Sequence, residues 1–299
     1  MNILITGKSG TVGSNLEFGV GFSKSKYDLR NIYHVKQLMA DLHPDAIVHC
    51  AANVGGLDEH LKFKKKLFYD NIVLNTNLIE SALQHKVPRV LSFLSSCIYS
   101  NDATQPYNET NIHVGEPFPD YYPYGFAKRM LEVQSRICYE EFGFKYNCVV
   151  PTNIYGVNDN FNINTGHVIG VLIHKAYLSK QNNADFMVWG DGNQEREYLF
   201  TEDVAKLTKW CLENYLDKTP IVFSNNIKVK IKDVAQIIYD KFQLKNKLIF
   251  NTDKPGGQKN RSLDGSKLHS LYKIDFTSID IGINKTIDWF LENYPNVRC

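Results

Sequence analysis

The 299-residue chain carries 34 basic and 32 acidic residues, which gives a formal net charge of +2, and 43% of its residues are apolar. This near-neutral balance argues against the basic surface of a nucleic-acid-binding or membrane-surface protein. No apolar run approaches the ~20 residues of a membrane span. The length suits one large domain or two modest ones, so the composition predicts a soluble globular protein with neither a nucleic acid nor a membrane as partner.

Six cysteines stand at positions 50, 97, 138, 148, 211 and 299, and none of them forms a C-x-x-C pair. Several lie in apolar segments, a pattern typical of reduced thiols rather than of a disulfide framework or a zinc site. A first strand that begins at residue 2 leaves no room for a signal peptide. We therefore predict a cytoplasmic protein without a metal site.

The N-terminal segment predicts a nucleotide-binding turn. Residues 2–6 are a short apolar, β-branched run typical of a strand buried on both faces, and Gly7, Gly10 and Gly13 follow at once. Glycines at this spacing, a variant of the G-x-G-x-x-G fingerprint, let the backbone turn tightly and approach a pyrophosphate. The phosphates would then lie at the N-terminus of a helix that starts near Thr11.

The next segment bears on the choice of cofactor. An acidic residue at the end of the second strand of such a fold holds a ribose 2′-hydroxyl, whereas basic residues accommodate a 2′-phosphate. Residues 22–26 include Ser23 and Lys24, and the first carboxylate after them is Asp28. We therefore predict NADPH rather than NADH. Only nine residues separate Gly13 from Ser23, so the first helix and the second strand must both be unusually short.

Strand and helix patterns then alternate, which predicts an α/β fold with a doubly wound, Rossmann-type parallel sheet. Predicted strands cover residues 46–50, 89–94 and 146–150, and predicted helices cover 35–42, 71–84 and 124–141. Ligands of such sheets bind beyond the carboxyl ends of the strands. The candidate site segments are therefore Ala51-Ala52-Asn53, Ser95-Ser96-Cys97 and Pro151-Thr152-Asn153-Ile154.

Tyr124 and Lys128 are a candidate acid/base pair. Residues four apart on a helix share a face, so the phenol and the ammonium can occupy one pocket. A free phenol has a pKa near ~10, and a nearby cation lowers that pKa by favouring the phenolate. Such a pair can act as a general acid/base near neutral pH, although the same spacing also occurs on ordinary solvated helix faces.

Beyond Gly156 the sequence changes to polar loops, helical patterns at 167–178, 204–216 and 231–242, and a short strand at 186–190. These segments predict a smaller second layer that closes over the sheet edge and supplies a substrate pocket. We predict an NADP-binding domain over residues 1–156 with parts of 198–225. It would interleave with a substrate-binding domain over residues 157–197 and 226–299.

The glycine turn, Ser95 and the Tyr124-x-x-x-Lys128 pair together resemble the extended short-chain dehydrogenase/reductases, and within them the GDP-L-fucose synthases. The resemblance runs from residue 3 almost to the C-terminus. It includes the stretches Ala52-Asn53-Val54-Gly55-Gly56, Ser95-Ser96-Cys97-Ile98-Tyr99, Asp159-Asn160-Phe161, His167-Val168-Ile169, Val188-Trp189-Gly190 with Arg196-Glu197, and Lys254-Pro255-Gly256-Gly257.

The resemblance implies an NADPH-dependent enzyme that reduces the C4 ketone of a GDP-linked 4-keto sugar, such as GDP-4-keto-6-deoxy-mannose, in nucleotide-sugar synthesis for surface glycans. By the same resemblance, Tyr124 protonates the sugar O4, Lys128 lowers the pKa of that phenol, and Ser95 hydrogen-bonds the same oxygen. Cys97 and His167 match the pair that inverts C3 and C5 before reduction. Protons at both carbons are acidic because the enolate places charge on O4.

The resemblance also implies two sets of ligand contacts. The cofactor would contact Gly7, Gly10, Thr11, Val12, Gly13, Ser23, Lys24, Ala51, Ala52, Asn53, Lys128, Pro151, Asn153, Ile154 and His167. The sugar nucleotide would contact Ser96, Asn153, Lys175, Trp189, Arg196, Lys254 and Arg261. Two positions depart from the family pattern: Lys175 replaces an Arg and offers a point charge instead of a bidentate fork, and Gly256 replaces an acidic residue.

Three alternatives stay open on the sequence alone. The protein could be a C4 reductase only, acting on a related sugar such as a 4-keto heptose after a separate epimerase, with Cys97 and His167 idle. It could be a related 4-epimerase or 4,6-dehydratase, or a nucleotide sensor without catalysis. The resemblance further implies a homodimer built from two helices of each subunit, with which the apolar residues Leu131, Ile137 and Cys138 are compatible.

Overall fold

Ten strands and ten α-helices make up the part of the chain that the structure, a computed structural model, describes: residues 1–253 and 260–299. In chain order they are β1 (Ile3–Thr6), α1 (Thr11–Ser14), α2 (Ile32–Leu42), β2 (Ala46–His49), α3 (Leu57–Lys62), α4 (Lys64–Gln84), β3 (Arg89–Phe93), α5 (Tyr122–Phe142), β4 (Lys145–Pro151), β5 (Asn153–Tyr155), α6 (Val168–Gln181), β6 (Phe186–Trp189), β7 (Glu195–Phe200), α7 (Thr201–Asn214), β8 (Ile221–Phe223), β9 (Lys228–Lys230), α8 (Ile231–Phe242), β10 (Leu248–Asn251), α9 (Ser266–Leu271) and α10 (Ile279–Asn293).

Five of these strands form the central sheet in the order β1-β2-β3-β4-β8, and every pair in it is parallel. Its strands are buried almost throughout. Near-continuous apolar strands are typical of a parallel sheet that is covered on both faces. The predicted Rossmann-type sheet is therefore confirmed.

Successive strand residues point to opposite faces of the sheet, so each strand contributes to two cores. Leu4, Ile47 and Val90 pack with α2, α4 and α5 on one face. On the other face, Ile5, Val48 and Leu91 pack with residues of α7. This two-sided cover leaves the carboxyl ends of the strands as the accessible edge of the sheet.

The first β-α-β unit is as short as the sequence predicts. Helix α1 has four residues. The strand that the sequence predicts directly after it is reduced to one parallel bridge between Leu4 and Val20. Val20 accepts a hydrogen bond from Ile5 N at 2.7 Å and donates one to Ile3 O at 2.9 Å. The chain thus passes along the outer edge of β1 before α2 returns it to β2. Such a reversal of strand order opens a crevice at the carboxyl ends of the strands.

A second layer follows β4. Its apolar core joins residues of α6, α8 and α10, among them Ile173, Ile238 and Phe290. Short strands pair beside it, with β7 parallel to β5 and antiparallel to β9, and with β10 parallel to β6. These segments match the expected smaller layer, while the exact division of the chain into two domains stays a prediction.

The longest helices are α4 and α5, with 21 residues each. Helix α4 begins at Lys64, seven residues before the predicted start at 71. The sequence pattern missed this start because the first turn of the helix is a lysine run without apolar periodicity. Among the described residues, no helix combines the length and the apolar character needed to cross a membrane.

Candidate active site

A cavity of about 690 Å³ lies at the carboxyl edge of the central sheet. Segments that follow β1, β2, β3 and β4 line it, together with α5 and parts of the second layer. It brings together most of the predicted site residues: Gly7, Gly10, Thr11, Val12, Gly13, Lys24, Ala51, Ala52, Asn53, Ser95, Ser96, Cys97, Tyr124, Lys128, Pro151, Asn153, Ile154, His167 and Arg261.

Several predicted residues lie elsewhere. Ser23 lines a separate cavity of about 470 Å³ and shares a hydrogen bond with Ser25 Oγ at 2.6 Å. Lys175, Trp189 and Arg196 do not line the main cavity; the Lys175 ammonium lies 4.6 Å from the centroid of the Trp189 ring. Lys254 and Gly256 lie outside the described residues.

The glycine turn after β1 has the tight geometry that the sequence predicts. Gly7 adopts a φ of +69°, a left-handed conformation that side chains rarely tolerate. A Cβ at Gly7 would stand 2.8 Å from Ala51 N, and one at Gly13 would clash with the Gly7 carbonyl oxygen. The turn therefore packs backbone directly against backbone, and it leaves the N-terminal end of α1 open to the cavity.

The sheet edge beside β1 carries a cluster of charged groups that line the cavity. Asn53 is tied to α4 because its backbone N donates to Asn71 Oδ1 at 3.0 Å and its side-chain amide donates to Asp70 Oδ2 at 2.9 Å. Arg30 forms ion pairs with Asp28 at 2.7 Å and with Asp70 at 3.5 Å. This guanidinium holds the pKa of Asp28 at about 2. We call Lys24, Asp28, Arg30, Asn53 and Asp70 the edge region.

The centre of the site is a 3-10 turn, Ser96–Ile98, directly beyond β3. Ser95 caps this turn, because its Oγ accepts a hydrogen bond from Cys97 N at 3.2 Å. Two neighbouring residues of α5 hold the segment at both ends: Lys128 Nζ donates to Phe93 O at 2.7 Å and Arg129 Nε donates to Ile98 O at 2.8 Å. Arg129 also donates to the carbonyls of Gly115 and Val114 at 2.6 and 3.1 Å.

Tyr124 and Lys128 share one buried pocket, with exposed fractions of 4% and 1%. The Lys128 ammonium lies 5.8 Å from the centroid of the Tyr124 ring. Burial, together with Cys97, raises the pKa of the Tyr124 phenol, which is the opposite direction from the effect expected of Lys128. Burial also lowers the pKa of Lys128 to about 8. At neutral pH the phenol is therefore protonated and the ammonium is still charged. We call Ser95, Cys97, Tyr124 and Lys128 the central region.

His49 is a buried histidine close to Lys128. His49 pairs with Thr6 Oγ1 at 2.7 Å through Nδ1 and with Asn75 Oδ1 at 2.9 Å through Nε2. Burial and the neighbouring Lys128 lower the pKa of His49 to about 3. This neutral imidazole links β1, β2 and α4 without adding charge to the site.

Two residues approach the central region from distant parts of the chain. His167 directly precedes α6 and lines the cavity from the second layer. Arg261 donates from Nη1 to Ser96 Oγ at 3.3 Å and to Cys97 Sγ at 3.9 Å, and its guanidinium lies 5.3 Å from the centroid of the Tyr121 ring. Arg261, far along the chain, thus contacts the turn that carries Cys97.

Asp159 joins the glycine turn to the loop that leads to His167. It is 1% exposed, and its Oδ1 accepts a hydrogen bond from Thr11 Oγ1 at 3.0 Å. Burial raises the pKa of this carboxyl, while His167 acts in the opposite direction. Arg298 adds a second connection from the C-terminus, donating to Thr11 Oγ1 at 3.4 Å and to Asn158 O at 3.2 Å.

Known proteins are similar to this chain in sequence and in fold. A sequence model of the NAD dependent epimerase/dehydratase family matches residues 22–224. The chain belongs to this family. The GDP-L-fucose synthase of Dictyostelium discoideum is 37% identical, with 99% of this chain and 97% of the relative covered. The probable GDP-L-fucose synthase of Drosophila melanogaster is 33% identical, with 99% of each covered.

A solved structure is similar over nearly the whole fold. The GDP-L-fucose synthetase of Naegleria fowleri bound to NADP superposes with a TM-score of 0.94 at 32% identity, covering 99% of this chain and 94% of that one. The predicted family and its fold are therefore confirmed.

In this epimerase/dehydratase family member, the residues at the sheet edge fit a dinucleotide cofactor. The glycine turn offers backbone N–H groups at the start of a helix, where phosphates bind favourably. Thr152 lines the cavity, and its buried Oγ1 has no hydrogen-bond partner among the described residues. An unpaired buried hydroxyl is costly, so a ligand group at this position would stabilise it.

Proposed function

We propose that this protein reduces the C4 ketone of a GDP-linked 4-keto sugar with NADPH, after inverting C3 and C5 of the same sugar. The observation that carries the proposal is the central region, in which a protonated phenol, a serine hydroxyl and a cysteine thiol line one cavity together with His167. Similarity to GDP-L-fucose synthases over 99% of the chain supports the GDP-sugar class.

The cofactor would be held along the sheet edge. The turn at Gly7, Gly10 and Gly13 would hold its pyrophosphate, and Lys24 would supply positive charge for the 2′-phosphate. Residues after β2 and β4, including Ala51, Ala52 and Asn153, would line the nicotinamide half. When bound, NADPH supplies the hydride that C4 of the sugar receives.

The central region would handle the oxygen of the C4 ketone. Because its pKa is raised, the Tyr124 phenol keeps its proton at neutral pH and can donate it to O4 as the alkoxide forms. The Ser95 oxygen already accepts a hydrogen bond from Cys97 N, so its own hydrogen can point to O4. Lys128, still charged at neutral pH, stabilises the negative charge that develops nearby.

The same oxygen explains how epimerisation and reduction can share one site. A base that removes the proton from C3 or C5 leaves an enolate, whose charge resides on O4 beside Ser95 and Tyr124. We assign the removal of the proton to Cys97 and the return of a proton on the opposite face to His167. Both residues line the cavity, and the inversion consumes neither cofactor nor water.

The nucleotide part of the substrate would bind at the second layer. Trp189 is 52% exposed and has the Lys175 ammonium 4.6 Å from its ring centroid. We propose that Lys175 and Arg196 bind the diphosphate and that Trp189 contacts the guanosine. Lys254 belongs to the same predicted set. Ser96 and Arg261, which lie beside Cys97, would contact the sugar end.

We further propose that two copies form a homodimer in the cytoplasm. Helices α4 and α5 pack together and expose apolar side chains, including Phe68, Tyr69, Met130 and Ile137. Of the positions considered from sequence, Leu131 and Cys138 are instead buried inside the subunit. The six cysteines are free, which supports a reducing compartment. Light scattering should give twice the 34.3 kDa mass of one chain, whereas a single-chain mass would contradict the dimer.

The reduction is tested by following NADPH oxidation against a panel of GDP-, UDP- and dTDP-linked 4-keto sugars, with the stereochemistry of each product determined by NMR. We expect activity with GDP-4-keto-6-deoxy-mannose and a C4 alcohol that is inverted at C3 and C5. A C4 alcohol without inversion would favour the reductase-only alternative. No NADPH oxidation with any sugar of the panel would refute the proposed function.

A further inference from the structure

His60 is a polar side chain of the cavity to which the proposed reaction assigns no task. It lies on α3, is 3% exposed, and lines the cavity together with Tyr124, His167 and Arg261. Its Nδ1 is buried and has no hydrogen-bond partner among the described residues. Buried polar atoms are nearly always paired, so this nitrogen requires an explanation.

The ring of His60 lies beside the proposed proton donor. Its centroid is 5.3 Å from that of Tyr124 and 5.0 Å from that of Tyr121, and both contacts are edge-on, with interplanar angles of 73° and 80°. Such packing requires an aromatic ring, but it does not require nitrogen atoms. A phenylalanine would make the same contacts without leaving a buried nitrogen unpaired.

The surroundings of His60 keep the imidazole neutral. Burial lowers its pKa to about 4, and the neighbouring His167 and Arg261 act in the same direction. A neutral imidazole has one nitrogen that donates and one that accepts. This combination matches a sugar hydroxyl, which also donates and accepts, and it brings no additional charge to the ketone.

We propose that His60 is a substrate contact that hydrogen-bonds the sugar ring and positions its C4 ketone against Tyr124. The inference rests on the proposed function of the cavity, and it adds a residue that selects the sugar rather than the nucleotide. The sugar completes the hydrogen bonding that the described residues leave unmet at Nδ1 of the imidazole.

Binding of GDP-L-fucose, the product of the proposed reaction, is compared with binding of GDP by calorimetry. The variants are His60→Phe, which keeps the ring, and His60→Asn, which keeps a donor and an acceptor. We expect His60→Phe to weaken GDP-L-fucose binding about 10- to 100-fold and to change the Kd for GDP less than about twofold. His60→Asn should bind GDP-L-fucose more tightly than His60→Phe. The Kd for NADPH, unchanged in both variants, would show that the cofactor half is intact.

Turnover gives a second readout that a packing role would not produce. We expect His60→Phe to raise KM for the 4-keto sugar while KM for NADPH stays constant. Equal binding of GDP-L-fucose by wild type and His60→Phe, or an equal loss for GDP-L-fucose and GDP, would overturn the assignment of His60. If wild type binds neither nucleotide, the proposed function fails and the inference fails with it.

Discussion

The central and edge regions of the cavity are built in different ways. In the central region, Tyr124 and Lys128 are almost fully buried, and Lys128 and Arg129 hold the turn beyond β3 at both ends. In the edge region, Lys24 and Arg30 are exposed, and the segment before them pairs with β1 through a single bridge at Val20. Buried groups cannot relax into water, whereas exposed charges are screened. Changes in the central region should therefore cost far more than changes in the edge region.

The largest effect is expected from Tyr124→Phe. Loss of the only phenolic proton assigned to O4 should lower kcat by about 10²- to 10⁴-fold, the usual contribution of a general acid. The Kd for NADPH should change little, because the ring and the buried Lys128 remain. Steady-state kinetics with the 4-keto sugar and fluorescence titration with NADPH measure the two quantities.

Tyr122→Phe is the matched control, since Tyr122 lies on the same helix, is exposed, and does not line the cavity. It should keep wild-type kcat. A Tyr124→Phe enzyme with nearly wild-type kcat would show that another group protonates O4.

The pH dependence of the reduction rate should reflect the loss of the proton from the Lys128 ammonium. Its pKa of about 8 means that the ammonium is charged below this pH and neutral above it. If the charge assists catalysis, kcat/KM should be flat below the pKa and fall about tenfold per pH unit above it. The Tyr124 phenol, with its raised pKa, titrates outside this range.

The fall in kcat/KM could also come from titration of the Cys97 thiol. The same pH profile is therefore measured in Cys97→Ser, which lacks that thiol. The same break in both enzymes assigns it to Lys128. A profile that stays flat well beyond pH 8 in both enzymes would mean that the charge of Lys128 does not assist the reaction.

A smaller effect is expected at the edge region. Lys24→Ala should raise the Kd for NADPH about two- to fivefold, because an exposed ion pair contributes at most about 1 kcal/mol, and should leave the Kd for NADH unchanged. Lys26→Ala is the matched control: Lys26 is two residues away, does not line the main cavity, and pairs with Asp41 at 3.8 Å. Equal effects of both variants would contradict a specific contact of Lys24 with the 2′-phosphate.

The same contrast explains which features the sequence could predict. Buried strands are continuous apolar runs, and α8 has a clear apolar period, so residues 231–242 match the observed helix. The short first unit follows from counting residues between Gly13 and Ser23. The predicted family, fold, oxidoreductase class and NADP cofactor are confirmed by the family model and by the GDP-L-fucose synthase relatives.

Features that depend on distant contacts could not be predicted. The hydrogen bond from Arg129 to Ile98 and the ion pair of Arg30 with Asp70 join residues 31 and 40 positions apart. His60 lies in a short helix that lacks a periodic signal. The spacing of Tyr124 and Lys128 shows a cation near the phenol, but only the fold reveals the burial that raises the phenol's pKa.

The claim that one central region supports both epimerisation and reduction is tested most directly by hydrogen exchange. GDP-4-keto-6-deoxy-mannose is incubated with wild-type enzyme in D₂O without NADPH, and deuterium at C3 and C5 is followed by NMR. We predict exchange at both carbons, slowed about 10²- to 10⁴-fold in Cys97→Ser, while Tyr122→Phe matches wild type. Absence of deuterium at both carbons in wild type, combined with normal NADPH-dependent reduction, would contradict the shared site and leave a C4 reductase.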